Sequence, residues 1–241
     1  MSDPILSLTG VRADIDQYHI LHGVDLQVPK GELTVLLGRN GAGKSTTLRT
    51  IMGLTTVTGG QVRFQGEDIT GQPTPRIARK GIAFVPENMG IFSLLTVREN
   101  MVLAAVSGPM DEQRLNWIFE LFPPMKKFWN RPAGNLSGGQ KQMLAIARAV
   151  IEPRELLLVD EPTKGLAPAI INDLADAFEQ LKQQQVSILL VEQNFNFSRR
   201  LGQSVAVMND GGVVYAGQMA ELADNEELQQ ELLGLGLGAH Q

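Results

Sequence analysis

Apolar and polar positions divide the chain into three stretches. In the first, short alternating or continuous apolar runs predict strands at Ile5 to Val11, Val24 to Val28, Leu33 to Leu37, Gly59 to Phe64 and Ile82 to Val85. Pro29-Lys30-Gly31 and Gly66-Glu67-Asp68 read as turns between strands. Two helices interrupt this series, Ser45 to Met52 and the short Pro75 to Lys80. From Leu95 the period changes. Val97 to Val106, Asp111 to Leu121 and Ser137 to Ile151 carry helical spacing and little strand character. Thr96 stands as N-cap of the first of these, with Glu99 at the capping-box position. Strands return at Leu156 to Val159, Val186 to Val191, Val205 to Met208 and Val213 to Tyr215. Between and after them come helices at Pro168 to Gln183, Phe195 to Leu201, Met219 to Ala223 and Glu226 to Leu233. The glycine-rich run Gly234 to Gly238 reads as a frayed tail. Strands alternating with helices predict an α/β fold with a mostly parallel sheet covered on both faces.

Composition narrows the class. Of 241 residues, 43% are hydrophobic and 20% charged, which fits a water-exposed globular chain. A net charge of −5 without basic runs argues against nucleic-acid binding. With no cysteine there is neither a disulfide framework nor a thiolate metal site. The opening MSDPILSLTG lacks the basic flank and apolar core of a signal peptide, and no run approaches 18 apolar residues. The expectation is a cytoplasmic protein that reaches a membrane only through a partner.

Three motifs carry chemistry. Gly38-Arg39-Asn40-Gly41-Ala42-Gly43-Lys44-Ser45 follows a predicted strand and opens a predicted helix. In that context G-x-x-x-x-G-K-[ST] is a phosphate-binding loop: inward N–H groups and a helix N-terminus face the anion. Lys44 would reach the β- and γ-phosphates, and Ser45 would ligate Mg²⁺, a hard cation that takes oxygen donors. The second motif, Leu156-Leu157-Leu158-Val159-Asp160-Glu161, is a buried-strand run ending in two acids. Open α/β sheets place ligands at that end of their strands. Asp160 would orient Mg²⁺ and Glu161 would act as general base on water. Third, Leu136-Ser137-Gly138-Gly139-Gln140 forms a second helix N-terminus suited to an anion, or else a simple cap. The stretch Leu189-Leu190-Val191-Glu192-Gln193-Asn194 also ends a strand in polar residues.

Taken together, "GRNGAGKS", "LSGGQ" and "LLLVDE" resemble the Walker A, signature and Walker B motifs of the ATP-binding-cassette ATPases, over almost the full chain. The resemblance implies a P-loop core with an N-terminal antiparallel β subdomain, and a helical subdomain over residues 89–152 between core segments 1–88 and 153–241. It implies ATP and Mg²⁺ as cofactors. Arg39, Asn40, Gly41, Ala42, Gly43, Lys44, Ser45 and Thr46 would cradle the nucleotide, and Ser137, Gly138, Gly139 and Gln140 would close on the nucleotide of a second cassette. That second cassette is either an identical chain or a paralogue. Glu87, Ala167 and Gln193 stand where many cassettes carry glutamine, aspartate and histidine. The combination VPE, GLAP and VEQN looks like the ATPases of branched-chain amino-acid, related hydrophobic amino-acid or urea importers. Such subunits work with integral membrane permeases on the cytoplasmic face of the inner membrane. Glutamine, unlike histidine, does not titrate near neutral pH, so Gln193 would position rather than shuttle protons. Glu87 joins the metal candidates beside Ser45 and Asp160, or is an exposed loop acid. The adenine-stacking position falls on Ile15, with Tyr18 three residues on. Other readings are a cassette ATPase in another process and a nucleotide-driven dimerisation switch without turnover; an intact Glu161 counts against the latter.

Overall fold

The computed structural model describes residues 3–234, so the tail Leu235 to Gly238 lies outside the described residues. In chain order the strands and helices begin with β1 (Leu6–Ile15), β2 (Tyr18–Val28), β3 (Leu33–Gly38), α1 (Lys44–Ile51), β4 (Thr56–Phe64), β5 (Glu67–Asp68), α2 (Thr74–Arg79) and β6 (Ile82–Val85). A helical run follows: α3 (Val97–Ala104), α4 (Glu112–Leu121), α5 (Pro123–Lys127) and α6 (Gly138–Ala149). The chain then returns through β7 (Leu156–Asp160), α7 (Pro168–Gln183), β8 (Ser187–Val191), α8 (Phe195–Leu201), β9 (Ser204–Asn209), β10 (Gly212–Gln218), α9 (Met219–Ala223) and α10 (Glu226–Leu233).

Two sheets form. One is antiparallel, in the order β2-β1-β4-β5. The other runs β10-β9-β3-β8-β7-β6 and is parallel except for the β9–β10 pair. The period-2 alternation of its strands sorts their side chains onto two faces. Leu33, Val35 and Leu37 of β3, with Leu157 and Val159 of β7, join the helices α3, α4, α6, α7 and α8 in one core. Leu36, Leu156, Leu158, Leu189 and Val191 face the other way, onto α1 and the antiparallel sheet. Burial on both faces explains why these strands are nearly unbroken apolar runs.

The structure lengthens several expected elements. Where the sequence predicts two short strands at 5–11 and 24–28, β1 and β2 form one long hairpin, turning at Asp16 with a φ of 54°. Register shifts between Leu8 and Val11, Val11 and Arg12, and Ala13 and Asp14 break the alternation there, so the pattern hides it. Glu67 and Asp68, read as a turn, pair with Phe64 and Arg63 as an edge strand. Met125, buried, anchors the short α5, which begins at Pro123 and which the pattern did not predict. The expected N-caps hold. Thr96 and Ser137 each form a full capping box, with Glu99 and Gln140.

Candidate functional site: a phosphate loop between three strand ends

Because β3, β8 and β7 are sheet neighbours running in one direction, their C-terminal ends lie side by side. Leu36 is level with Val191, and Val191 with Asp160. The loop after each strand therefore opens on one edge of the sheet. β6 pairs with β7 up to Val85 and so brings Pro86 and Glu87 to the same edge.

After β3 the backbone turns through Gly38 at a φ of 151°. A Cβ there would lie 2.4 Å from the Met208 carbonyl oxygen, so only glycine fits this close approach. α1 opens at Lys44, whose side chain is 4% exposed. Its ammonium donates to the carbonyls of Gly38 at 2.9 Å and Arg39 at 3.1 Å, and stands 3.4 Å from Glu161 Oε1. Ser45 Oγ donates to Asp160 Oδ1 at 2.9 Å. Burial pushes the Asp160 carboxyl up to about 6; nearby Glu161 and Glu87 add to the rise and the Ser45 hydrogen bond opposes it. A hydroxyl and a buried, charge-crowded carboxylate in contact are hard oxygen donors that fit Mg²⁺. Among the described residues no group of three His, Cys, Asp or Glu side chains is arranged to hold a metal. The donor set thus suits a cation that takes its other ligands from phosphate and water.

Glu161 follows β7 with a φ of 45°, an uncommon conformation for a residue with a side chain. Two backbone bonds hold it: its N–H donates to Val191 O at 2.9 Å, and its carbonyl accepts from Lys164 N–H at 3.2 Å. Gln193 Nε2 donates to Glu161 Oε1 and to Asn40 Oδ1, both at 2.6 Å. One amide thus joins the loop after β3 to the acid after β7. Beside it Glu192 is 2% exposed and accepts from the N–H groups of Thr163, Gln193 and Asn194 at 3.0, 3.0 and 3.1 Å. Burial nonetheless holds its carboxyl above the ordinary glutamate range.

A cavity of about 340 Å³ is lined by Asn40, Gly41, Gly43, Lys44, Ser45, Thr46, Glu87 and Glu161, which the sequence singles out, together with Ile20 and Lys164, which it does not. Lys164 Nζ lies 2.6 Å from Glu87 Oε1 and 3.6 Å from Glu161 Oε2. Glu87 is thus paired with an ammonium. No periodicity marks Lys164, since it sits on the turn after Walker B; its ion pairs and the shared cavity bring it into the site. Ile15 instead borders a separate cavity with Gly53, Leu54, Thr55 and Thr56, and Tyr18, paired across the hairpin from Ile15, is 73% exposed. The guanidinium of Arg39 lies against Gly234, the C-cap of α10. None of the residues lining the phosphate cavity belongs to the 137–140 segment. There, Ser137 Oγ accepts from Gln140 N–H at 3.3 Å, and Gln140 Oε1 accepts from Ser137 N–H at 3.0 Å.

A phosphate loop after the central strand of a parallel sheet, with acids at the neighbouring strand end, defines a P-loop nucleotide-binding protein. The comparisons narrow this to a family. Residues 21–164 match the family model described as ABC transporter. The high-affinity branched-chain amino acid transport ATP-binding protein BraG of Pseudomonas aeruginosa is 40% identical over 232 residues, covering 95% of this chain and 100% of that protein. The probable branched-chain amino acid transport ATP-binding protein LivF of Archaeoglobus fulgidus is 35% identical, covering 96% and 99%. Among solved structures, the ADP conformation of MJ1267, an ATP-binding cassette of an ABC transporter, superposes with a TM-score of 0.83 at 25% identity, covering 98% of this chain and 100% of that one. The dimeric structure of the cassette MJ0796 does so at 0.79 and 25%, covering 89% and 98%. This chain belongs to the ABC transporter family, as one of its ATP-binding subunits. It binds nucleotide and is an ATPase, the general activity of these cassettes. No helix among the described residues is long and apolar enough to cross a membrane.

Proposed function

We propose that this chain powers the import of branched-chain or other hydrophobic amino acids by hydrolysing ATP on the cytoplasmic face of the membrane, beneath separate permease subunits. The observation that carries the reading is the 40% identity to BraG over nearly the full length of both chains. The residues VPE, GLAP and VEQN at positions 85–87, 165–168 and 191–194 support the same subgroup.

Catalysis here is positioning and electrostatics. The Gly38–Ser45 loop and Thr46 bind the phosphates, with Lys44 on the outer ones. Ser45 and Asp160 would hold Mg²⁺, which would supply neutralisation of phosphate charge, and Glu87, on the same cavity, would hold one of its waters. Glu161 takes a proton from the attacking water, and Gln193 fixes the Glu161 carboxylate through Oε1. Ser137, Gly138, Gly139 and Gln140 face the nucleotide of a second cassette, either identical or paralogous, since the phosphate cavity of their own chain does not include them. Ile20 supplies an apolar wall, and Ile15 or Tyr18 is the candidate for the adenine side.

Two measurements test this. Glu161→Gln is expected to lower steady-state phosphate release by about a hundred-fold or more while ATP binding persists. Removing the chain from its host is expected to abolish uptake of labelled leucine, isoleucine and valine. Normal uptake of all three would overturn the substrate assignment.

A further inference from the structure

We propose that Lys164 is a positioning residue for hydrolysis, an ammonium shared between Glu161 and Glu87 that ties the base to the loop after β6. The proposal rests on Glu161 being the general base. Its geometry is independent of that role. The Lys164 ammonium is 2.6 Å from Glu87 Oε1 and 3.6 Å from Glu161 Oε2. The backbone enforces the proximity, because Lys164 N–H donates to the Glu161 carbonyl at 3.2 Å and Gly165 takes a φ of 72° to complete the turn.

The charge balance of the cavity assigns the lysine its work. Glu87, Asp160 and Glu161 bring three carboxylates to one edge, and Lys44 and Lys164 bring two ammonium groups. The two oxygens of Glu161 are served separately. Oε1 meets Lys44 and Gln193, while Oε2 meets Lys164. A phosphate bound in the loop would engage Lys44, leaving Lys164 as the ammonium beside the base. Lys164 then fixes the rotation of the carboxylate from the side opposite Gln193. The acids, Glu87 most of all, hold the ammonium's pKa above the ordinary lysine range.

Glu87 makes the contact adjustable. It lies just after β6, inside the turn closed by Met89 N–H donating to Pro86 O at 2.8 Å, and the same loop carries Phe92 and Leu94 at 48% and 96% exposure. Movement of this loop that draws Glu87 away gives the ammonium wholly to Glu161; movement that brings it closer does the reverse. The base is thereby linked to the exposed surface through one side chain.

The test is steady-state ATP hydrolysis by the purified chain, with kcat and KM resolved and melting temperature recorded. Lys164→Gln is expected to lower kcat about three- to ten-fold with KM for ATP changed less than about two-fold. Lys164→Arg, which keeps the charge, is expected to restore most of kcat. Glu87→Gln is expected to alter kcat less in the Lys164→Gln background than in the parent chain, the difference being the part that runs through the ammonium. Glu161→Gln tests the base separately from Lys164. If it turns over normally, the assignment of the base is wrong. If it is inactive while Lys164→Gln keeps the parent kcat, or while Lys164→Arg is as slow as Lys164→Gln, the role of Lys164 alone is overturned.

Discussion

Three consecutive polar residues after β8 do three different jobs. Glu192 turns inward and ties down backbone N–H groups, Gln193 reaches the site, and Asn194 caps α8 by accepting from Phe197 N–H at 3.1 Å. The sequence shows that a strand ends in polar residues; it does not say which of them is buried. Gln193→Ala removes the donor that joins Glu161 to Asn40, so kcat is expected to fall about ten-fold in phosphate-release assays. Unchanged hydrolysis would remove Gln193 from the mechanism. Glu192→Gln acts on stability. An amide cannot accept on both sides; with its oxygen kept toward the Gln193 and Asn194 N–H groups, the Thr163 N–H would face an NH₂ group. The expected cost is about 1–3 kcal/mol, read as a lower melting temperature. The pH dependence follows from the raised carboxyl of Glu192. A folded-state pKa above the unfolded one contributes stability that is full below the ordinary glutamate range and is lost as pH rises through the folded value. The variant lacks that contribution, so its deficit against the parent is expected to widen on going from pH 7 to pH 5.

Among elements, the parallel strands were the most legible part of the chain and the long hairpin the least. β3, β7 and β8 are buried on both faces, so each is an apolar run with a sharp polar end, and that end is where the chemistry lies. β1 and β2 carry Arg12, Asp14, His19 and His22 around their bulges, which blurs the two-residue period. The walls of the phosphate cavity suffer from the same gap: Ile20 comes from that hairpin and Lys164 from an irregular turn. The start of α6 was readable from its cap, but its tight seat was not. A Cβ on Gly139 would lie 2.5 Å from Ile170 Cγ2 on α7, and 3.3 Å from the Ile170 Cβ, a branched side chain with little room to retreat. Gly139→Ala is therefore expected to cost about 1–3 kcal/mol by pushing α6 off α7, and calorimetry would show it. Ser137→Ala, which removes the cap, is expected to cost the fold about 1 kcal/mol.

Across the whole molecule, one sheet edge holds the phosphate loop, the acids and Gln193, whereas the capped start of α6 borders none of that cavity. The acidic balance of −5 keeps like chains apart at long range, so any pairing depends on short-range fit and on what lies between them. The placement of α6 has a kinetic consequence. If every working site draws its loop from one chain and its capped helix from another, turnover is a property of pairs. The rate per chain should then rise with protein concentration and level off, and under strong dilution the total rate should fall as the square of concentration. A rate per chain that stayed constant through a hundred-fold dilution series would mean that a single cassette completes the reaction alone.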